Sequence, residues 1–246
     1  LLVYWPTIFV LSHISPATTS RLLIPVRLPD KILHLIAYLL LTFLFWFTVS
    51  PYNKVRWHRT AVWWALLVVV WYGVLDEWLQ GYVGRSPDVM DFFADLAGTL
   101  VGFVLLTVFS FWSAALVVTG TITFVLTNLG AAATAGPPPL GSSLLLFFLY
   151  GLFTLLWIRY MYHYRPTTPP QPRWLAEALA LPAAYMAGAE ISFFLTRGHP
   201  RPYELAISAI AITAVVAVCY LTALLRPGKR RRPCDDTAAR SAGGEA

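Results

Sequence analysis

The segment DEWLQGYVGRSPDVMDFFADLAG, residues 76–98, concentrates acidic side chains between two apolar stretches. It holds five of the twelve Asp and Glu residues of the chain, namely Asp76, Glu77, Asp88, Asp91 and Asp95. Paired carboxylates can move protons to and from a substrate, and together with nearby cations they can bind a polar ligand. The segment therefore predicts either an acid–base site or a binding site for a polar group.

Polar partners for these acids occur in the same segment and in the apolar segment DKILHLIAYLLLT before it. At 100° per residue, Lys31, His34, Tyr38 and Thr42 lie on one helical face, within an arc of about 80°. Lys31 and Arg85 are the available counter-charges for the acids, and His34 is a third. Such a set can either transfer protons or bind a polar headgroup.

We predict one set of ligand-binding residues in these two segments. It comprises Lys31, His34, Tyr38, Asp76, Glu77, Gln80, Arg85, Asp91 and Asp95. Within this set, His34, Glu77 and Asp91 are the candidate catalytic acids and bases. The sequence has no Cys or His spacing typical of a metal site and no phosphate-binding loop. We therefore expect neither a metal nor a cofactor.

Each of these residues also has a purely structural interpretation. Asp76, Glu77 and Asp88 can be ordinary charges of an interfacial loop, and His34 can be a packing or capping residue. Lys31 can extend its ammonium group to the membrane surface while its stem stays in the apolar layer. A shared site is favoured because the acids and bases fall on one side of the membrane and flank one loop.

Composition indicates the elements that hold these residues. The chain is 58% apolar and 12% charged, whereas soluble domains carry roughly 25% charged residues. An apolar membrane core about 30 Å thick explains such a chain, so we predict an all-α, polytopic transmembrane bundle of about eight helices. Their predicted ranges are 1–14, 31–50, 58–76, 92–110, 112–129, 143–161, 174–195 and 204–225. The boundary between the fourth and fifth predicted helices lies at FWSAALVV, which can be a tight turn or part of one long helix.

The alternating direction of the helices explains why the acids cluster. The second predicted helix begins, the third ends and the fourth begins on the same side of the membrane. Asp91 and Asp95 occupy the first turns of the fourth helix, where the helix dipole favours negative charge. Gly98 and Gly102 follow at the small-xxx-small spacing and let another helix approach closely.

Basic residues predict the orientation. Twelve of the 18 Lys and Arg residues fall on the side that holds both termini of an eight-helix chain. By the positive-inside rule both termini are cytoplasmic, and the polar site faces outward. Without residues 226–246 the two sides are equal, so the orientation depends on that basic tail. The tail favours contact with anionic lipid rather than nucleic acid.

The polar pattern resembles the VanZ-like family. The family's first polar pattern is Asp-Lys…His…Tyr, which is similar to DKILHLIAYLLL in this chain. Its second pattern is Asp-Glu-x-x-Gln…Arg…Asp-x-x-x-Asn-x-x-Gly-x-x-x-Gly, which is similar to the later segment DEWLQGYVGRSPDVMDFFADLAGTLVG. The end of the family's first helix is similar to LSHISP. The resemblance covers roughly residues 5–112. It implies functional positions at Asp30, Lys31, His34, Tyr38, Asp76, Glu77, Gln80, Arg85, Asp91, Gly98 and Gly102. This chain has Asp95 where the family usually has Asn, which adds a negative charge or a proton.

The resemblance implies an integral protein of the bacterial inner membrane. The namesake of the family is associated with low-level teicoplanin resistance, so the outward site is expected to bind a lipid headgroup, a lipid-linked envelope precursor or a glycopeptide. One alternative is a membrane enzyme acting on a lipid-linked or headgroup substrate, with His34 and either Glu77 or Asp91 as acid and base and Arg85 on an anion. The other is a proton-linked carrier in which Asp91 and Asp95 titrate.

The chain divides into three predicted parts. Residues 1–112 form the VanZ-like membrane domain, residues 113–225 form further membrane helices, and residues 226–246 form a basic disordered tail. A shift of 113 residues places Glu77 on Glu190 and Asp91 on Glu204, with Arg197 or Arg201 near the position that corresponds to Arg85. The second part is therefore either a degenerate repeat of the first or a chance likeness between two helix–loop–helix turns.

Overall fold

The fold is all-helical in a computed structural model that describes residues 1–13, 28–82, 88–129, 138–164 and 171–225. These residues form eight helices: α1 (Tyr4–His13), α2 (Asp30–Val49), α3 (Thr60–Gln80), α4 (Val89–Val108), α5 (Phe111–Asn128), α6 (Leu140–Tyr164), α7 (Pro172–Arg197) and α8 (Pro202–Leu225). The predicted fold class is confirmed. Helices α2 to α8 are each long and apolar enough to cross a membrane. Arg85 and the tail, residues 226–246, lie outside the described residues.

The first helix is the exception in length. Its ten residues rise about 15 Å, which is half of the apolar thickness of a bilayer. The Trp5 ring packs edge-on against Phe45 of α2 and Tyr72 of α3, and the Tyr4 hydroxyl donates to the Ala37 carbonyl. Helix α1 is therefore held against α2 and α3.

The boundary between α4 and α5 is a tight turn. Helix α4 ends at Val108 and α5 begins at Phe111, and the two residues between them, Phe109 and Ser110, are extended. Two hydrogen bonds support the turn: Lys54 donates to the Val108 carbonyl and the Tyr164 hydroxyl donates to Ser110. The alternative of one long helix is thereby excluded.

The packing of α2 against α4 is the most extensive helix contact. It depends on Gly98, because a Cβ there would overlap the carbonyl oxygen of Leu35 and lie 3.1 Å from the Leu39 nitrogen. One turn on, a Cβ at Gly102 would lie 2.9 Å from the Thr42 methyl carbon. The two glycines bring the beginning of α2 beside the first turns of α4.

The second group of helices repeats this arrangement. Helix α6 packs most extensively on α8, as α2 does on α4, and α7 packs on α8. Helix α5 joins the groups: its Ala114 and Val118 lie in one apolar core with Phe103, and Tyr185 of α7 donates to the Gly120 carbonyl. The division into domains stays a prediction, and this shared packing order supports it.

Candidate functional site

His34 lies between two carboxylates where α2 meets α4. Its Nδ1 is 2.9 Å from Oδ1 of Asp95, and its Nε2 is 4.0 Å from Oδ2 of Asp91. All three side chains are buried, and Asp95 is only 1% exposed. They meet because each is in the first turns of its helix and the glycines of α4 hold the two helices close.

Glu77 joins this group from the last turn of α3. One of its oxygens, Oε2, accepts a hydrogen bond from the Asp88 backbone N–H at 3.2 Å. The other oxygen, Oε1, is buried and has no hydrogen-bond partner within the described part of the chain. Ligand atoms of His34, Glu77 and Asp95 all lie within 4.8 Å of one another. The third helix therefore completes a buried cluster of one imidazole and two carboxylates.

Asp76 forms a second buried contact set with α1. Its Oδ1 accepts a hydrogen bond from Ser12 Oγ at 2.8 Å, and its Oδ2 accepts one from Gln80 Nε2 at 3.2 Å. The Nδ1 of His13 is 3.8 Å from the same carboxylate. Ser12 and His13 were missing from the predicted site, although LSHISP places two polar residues at the end of an apolar segment and so contains the signal.

Lys31 lies at the exposed edge of the site. Its Nζ donates to Oδ2 of Asp88 at 2.9 Å and is 3.9 Å from Oδ1 of Asp91. The hydrogen bond from Lys31, with one from the Met90 backbone N–H, lowers the pKa of Asp88 below its usual value. Lys31 therefore neutralises mainly the loop acid Asp88 rather than the buried acids.

Tyr38 lies deeper, one turn beyond His34. Its ring is buried and stacks on Tyr72, with 5.9 Å between the ring centroids. A Cβ at Gly73 would lie 3.5 Å from both Asp95 Oδ2 and the Tyr38 ring, so this glycine lets α3 approach both. Tyr38 Oη has no hydrogen-bond partner among the described residues.

The described candidates gather at one end of the bundle, where α2 and α4 begin and α3 ends. They are Lys31, His34, Tyr38, Asp76, Glu77, Gln80, Asp91 and Asp95. The ninth candidate, Arg85, lies outside the described residues. Four of the gathered residues are buried acids, whereas His34 is the buried basic group among them. Unpaired charge is costly in a membrane interior, so this described set requires protons, a bound cation or a counter-charge from outside it.

A polar cluster occupies the corresponding helix ends of the second group. Arg201 is buried, with Nη1 2.7 Å from Glu204 and Nη2 3.0 Å from Glu190. Nη1 also donates to the Thr127 carbonyl at 2.6 Å, and the guanidinium lies 3.7 Å from the centroid of the Phe193 ring. The predicted counterparts of Glu77 and Asp91 thus share one arginine.

A pair of tyrosines adds to the likeness between the two groups. Tyr185 lies 113 positions after Tyr72, and Tyr150 lies 112 positions after Tyr38. The Tyr150 and Tyr185 rings are 6.0 Å apart, close to the spacing of the first pair. The internal repeat stays a prediction, and both the ion cluster and the tyrosine pair support it.

Comparison with known proteins agrees with the resemblance in the sequence. Residues 4–112 match the family model described as VanZ/LLP1. No curated protein and no solved structure matches the chain significantly. The matched segment contains α1 to α4, and therefore every described residue of the polar site. Residues 4–112 are therefore similar to the VanZ/LLP1 family, and the seven long apolar helices indicate a multi-pass membrane protein.

Proposed function

We propose that this chain is a bacterial envelope protein whose polar site binds the positively charged group of an envelope molecule. It resides in the inner membrane with both termini in the cytoplasm, so the site faces outward. The ligand is a lipid headgroup, a lipid-linked precursor or a glycopeptide such as teicoplanin. In each case the shared chemistry is a cationic or strongly hydrogen-bonding group held by carboxylates.

The excess of buried carboxylate is the observation that carries this proposal. Asp76, Glu77, Asp91 and Asp95 are buried at one end of the bundle, and Lys31, the nearest described lysine, pairs chiefly with exposed Asp88. A cationic ligand would neutralise the surplus and gain strong, charge-assisted hydrogen bonds. Binding energy in this site therefore comes from charge that the described residues leave uncompensated.

The aromatic residues near the site suit a ligand at the membrane surface. Trp78 and Tyr82, at and just beyond the end of α3, are exposed and pack edge to face at 5.1 Å. Trp and Tyr are favoured at headgroup level because one end of each ring system is apolar and the other is polar. Lys31 and Asp88 add exposed charges at the same edge. The surroundings favour a ligand that approaches from the lipid–water boundary.

Growth under teicoplanin tests the glycopeptide as ligand. We expect wild-type chain to protect the cells, and Glu77→Ala and Asp91→Ala to lose protection at equal expression. Loss of one charged hydrogen bond costs about 2 kcal/mol, which corresponds to roughly 30-fold weaker affinity. Titration of teicoplanin into the purified protein would measure this loss of affinity. Glu177→Ala is the matched control, because this half-buried carboxylate in the first turns of α7 pairs with exposed Arg173 and is not part of the site.

The pattern of outcomes identifies the ligand. Equal sensitivity of all strains, with no teicoplanin binding in vitro, excludes the glycopeptide. Binding of vesicles containing an amine headgroup, lost in Glu77→Ala and Asp91→Ala, would then identify a lipid. If neither teicoplanin nor amine-containing vesicles bind more tightly to wild type than to the variants, the binding function is wrong.

A second candidate function, a membrane enzyme, is favoured by the contact between His34 and Asp95. A carboxylate at 2.9 Å from a ring nitrogen orients the imidazole, which can then act as a general acid or base on a lipid-linked or headgroup substrate. We expect Asp95→Asn to lower kcat for release of a labelled headgroup roughly 100-fold or more, with KM little changed. Equal kcat in wild type and Asp95→Asn, or no release by wild type, would exclude this role.

A further inference from the structure

We propose that His34, Glu77 and Asp95 bind one divalent transition-metal ion, Zn²⁺ or Mn²⁺, inside the membrane domain. This inference goes beyond ligand binding and does not depend on it. Sequence spacing indicated no such site because the three residues come from three different helices. Only the tertiary packing brings them together.

The geometry of the cluster suits a single ion. One ligand atom from each of His34, Glu77 and Asp95 lies within 4.8 Å of the other two. Bonds of about 2.1 Å place neighbouring ligand atoms about 3.0 Å apart in an octahedral site and about 3.4 Å apart in a tetrahedral one. The separation of 2.9 Å between His34 Nδ1 and Asp95 Oδ1 is close to this range. The other two separations are at most 4.8 Å, so side-chain shifts of less than about 2 Å bring all three ligand atoms into this range.

Two unpartnered oxygens are an independent sign of a ligand. Glu77 Oε1 and Asp95 Oδ2 are both buried, in side chains more than nine-tenths buried, and neither has a hydrogen-bond partner among the described residues. Buried carboxylate oxygens without partners are expensive, above all in a membrane interior. A divalent cation would satisfy both oxygens and neutralise both carboxylates.

The surrounding contacts orient the ligands as metal sites usually require. The second oxygen of Glu77 accepts the Asp88 backbone N–H, which restrains that carboxylate. If Nδ1 of His34 binds the ion, the other ring nitrogen, Nε2, faces Asp91, whose Oδ2 lies 4.0 Å away. A carboxylate behind a metal-binding histidine is a recurring outer-shell arrangement.

The donor set selects the class of metal. One imidazole nitrogen with two carboxylate oxygens suits Zn²⁺ or Mn²⁺, whereas Mg²⁺ prefers oxygen ligands and retains its waters. A neighbouring group, Asp30, His34 and Asp91, also lies within 4.8 Å, but Asp30 is exposed. Water competes more strongly there, so we assign the ion to the fully buried group.

Metal content of the purified full chain tests the assignment. The protein, with any affinity tag removed, is stripped with a chelator and dialysed against Zn²⁺, Mn²⁺ or Mg²⁺, and bound metal is counted by mass spectrometry. We expect one Zn²⁺ or Mn²⁺ per chain in wild type. We expect affinity to fall roughly 100-fold or more in His34→Ala, Glu77→Gln and Asp95→Asn. Glu177→Gln is the matched control and should bind like wild type.

The possible results are distinguishable. Retention of neither Zn²⁺ nor Mn²⁺ by wild type, or equal retention by all four variants, overturns the site. Retention of Mg²⁺ alone also overturns it, because that ion does not favour the imidazole. Near-isosteric Glu77→Gln and Asp95→Asn keep the test valid if His34→Ala fails to fold, as judged by size-exclusion chromatography. The metal count and the teicoplanin titration are separate readouts on the purified protein, so the failure of either proposal is seen without the other.

Discussion

Gly98→Ala should destabilise the protein by about 3 kcal/mol or more, the largest effect expected of a single methyl group in this chain. The new Cβ would overlap the Leu35 carbonyl oxygen and press on the Leu39 nitrogen. Both are backbone atoms of α2 and cannot rotate away, so α2 and α4 must separate. Thermal unfolding in detergent should show a Tm lower by roughly 6–12 °C.

The control for this substitution is Gly188→Ala. A Cβ at Gly188 meets nothing within 4 Å, so only the small gain in helix propensity remains. Because the same helix contact brings His34 to Asp95, Gly98→Ala should also weaken ligand binding. Equal Tm values for the two alanine variants would show that the close packing of α2 on α4 is wrong.

Arg201→Met should cost about 3 kcal/mol of stability, the second large effect. The substitution leaves Glu190 and Glu204 half-buried without their shared cation, and it removes the donor to the Thr127 carbonyl. Removing one partner of a buried ion pair costs about 3–5 kcal/mol. Because both glutamates are partly exposed, we expect a loss near the lower end of this range. Thermal unfolding in detergent measures the loss.

Two further variants separate charge from packing. Arg173→Ala breaks an exposed pair with Glu177 and should cost less than about 0.5 kcal/mol. Adding Glu190→Gln and Glu204→Gln to Arg201→Met should restore much of the lost stability, since no unpaired charge remains. If Arg201→Met is no worse than Arg173→Ala, the guanidinium does not hold these helices together.

The two polar clusters differ in how their charge is balanced. In the second, Arg201 lies between both glutamates, so the protein supplies its own cation. Among the described residues of the first, the buried acids outnumber the buried bases, and two carboxylate oxygens have no hydrogen-bond partner. That difference is why we propose ligand and metal binding for the first cluster and a structural role for the second. If the second half of the chain is a repeat of the first, an ion pair stands in the second copy where the proposed binding site stands in the first.

Much of the architecture could be predicted from residue order. Long apolar segments that nearly lack charge can satisfy their backbone hydrogen bonds in a membrane only as helices, so the all-α fold and the helix ranges follow from composition. Helix direction alone then places His34, Glu77 and Asp91 at one end of the bundle. The spacing of these polar residues also indicated the resemblance to the VanZ-like family, because it can be read from the sequence without knowledge of any contact.

Contacts between helices depended on tertiary structure. Residue spacing describes a face of one helix, but the rotation and separation of two helices depend on side chains packing from both. That is why the pairing of His34 with Asp95, the hydrogen bond from Ser12 to Asp76 and the turn at Ser110 had to be seen in the fold. The cluster of His34, Glu77 and Asp95 exists for the same reason: three helices must meet at a separation set by Gly98 before their ligand atoms come within reach of one ion.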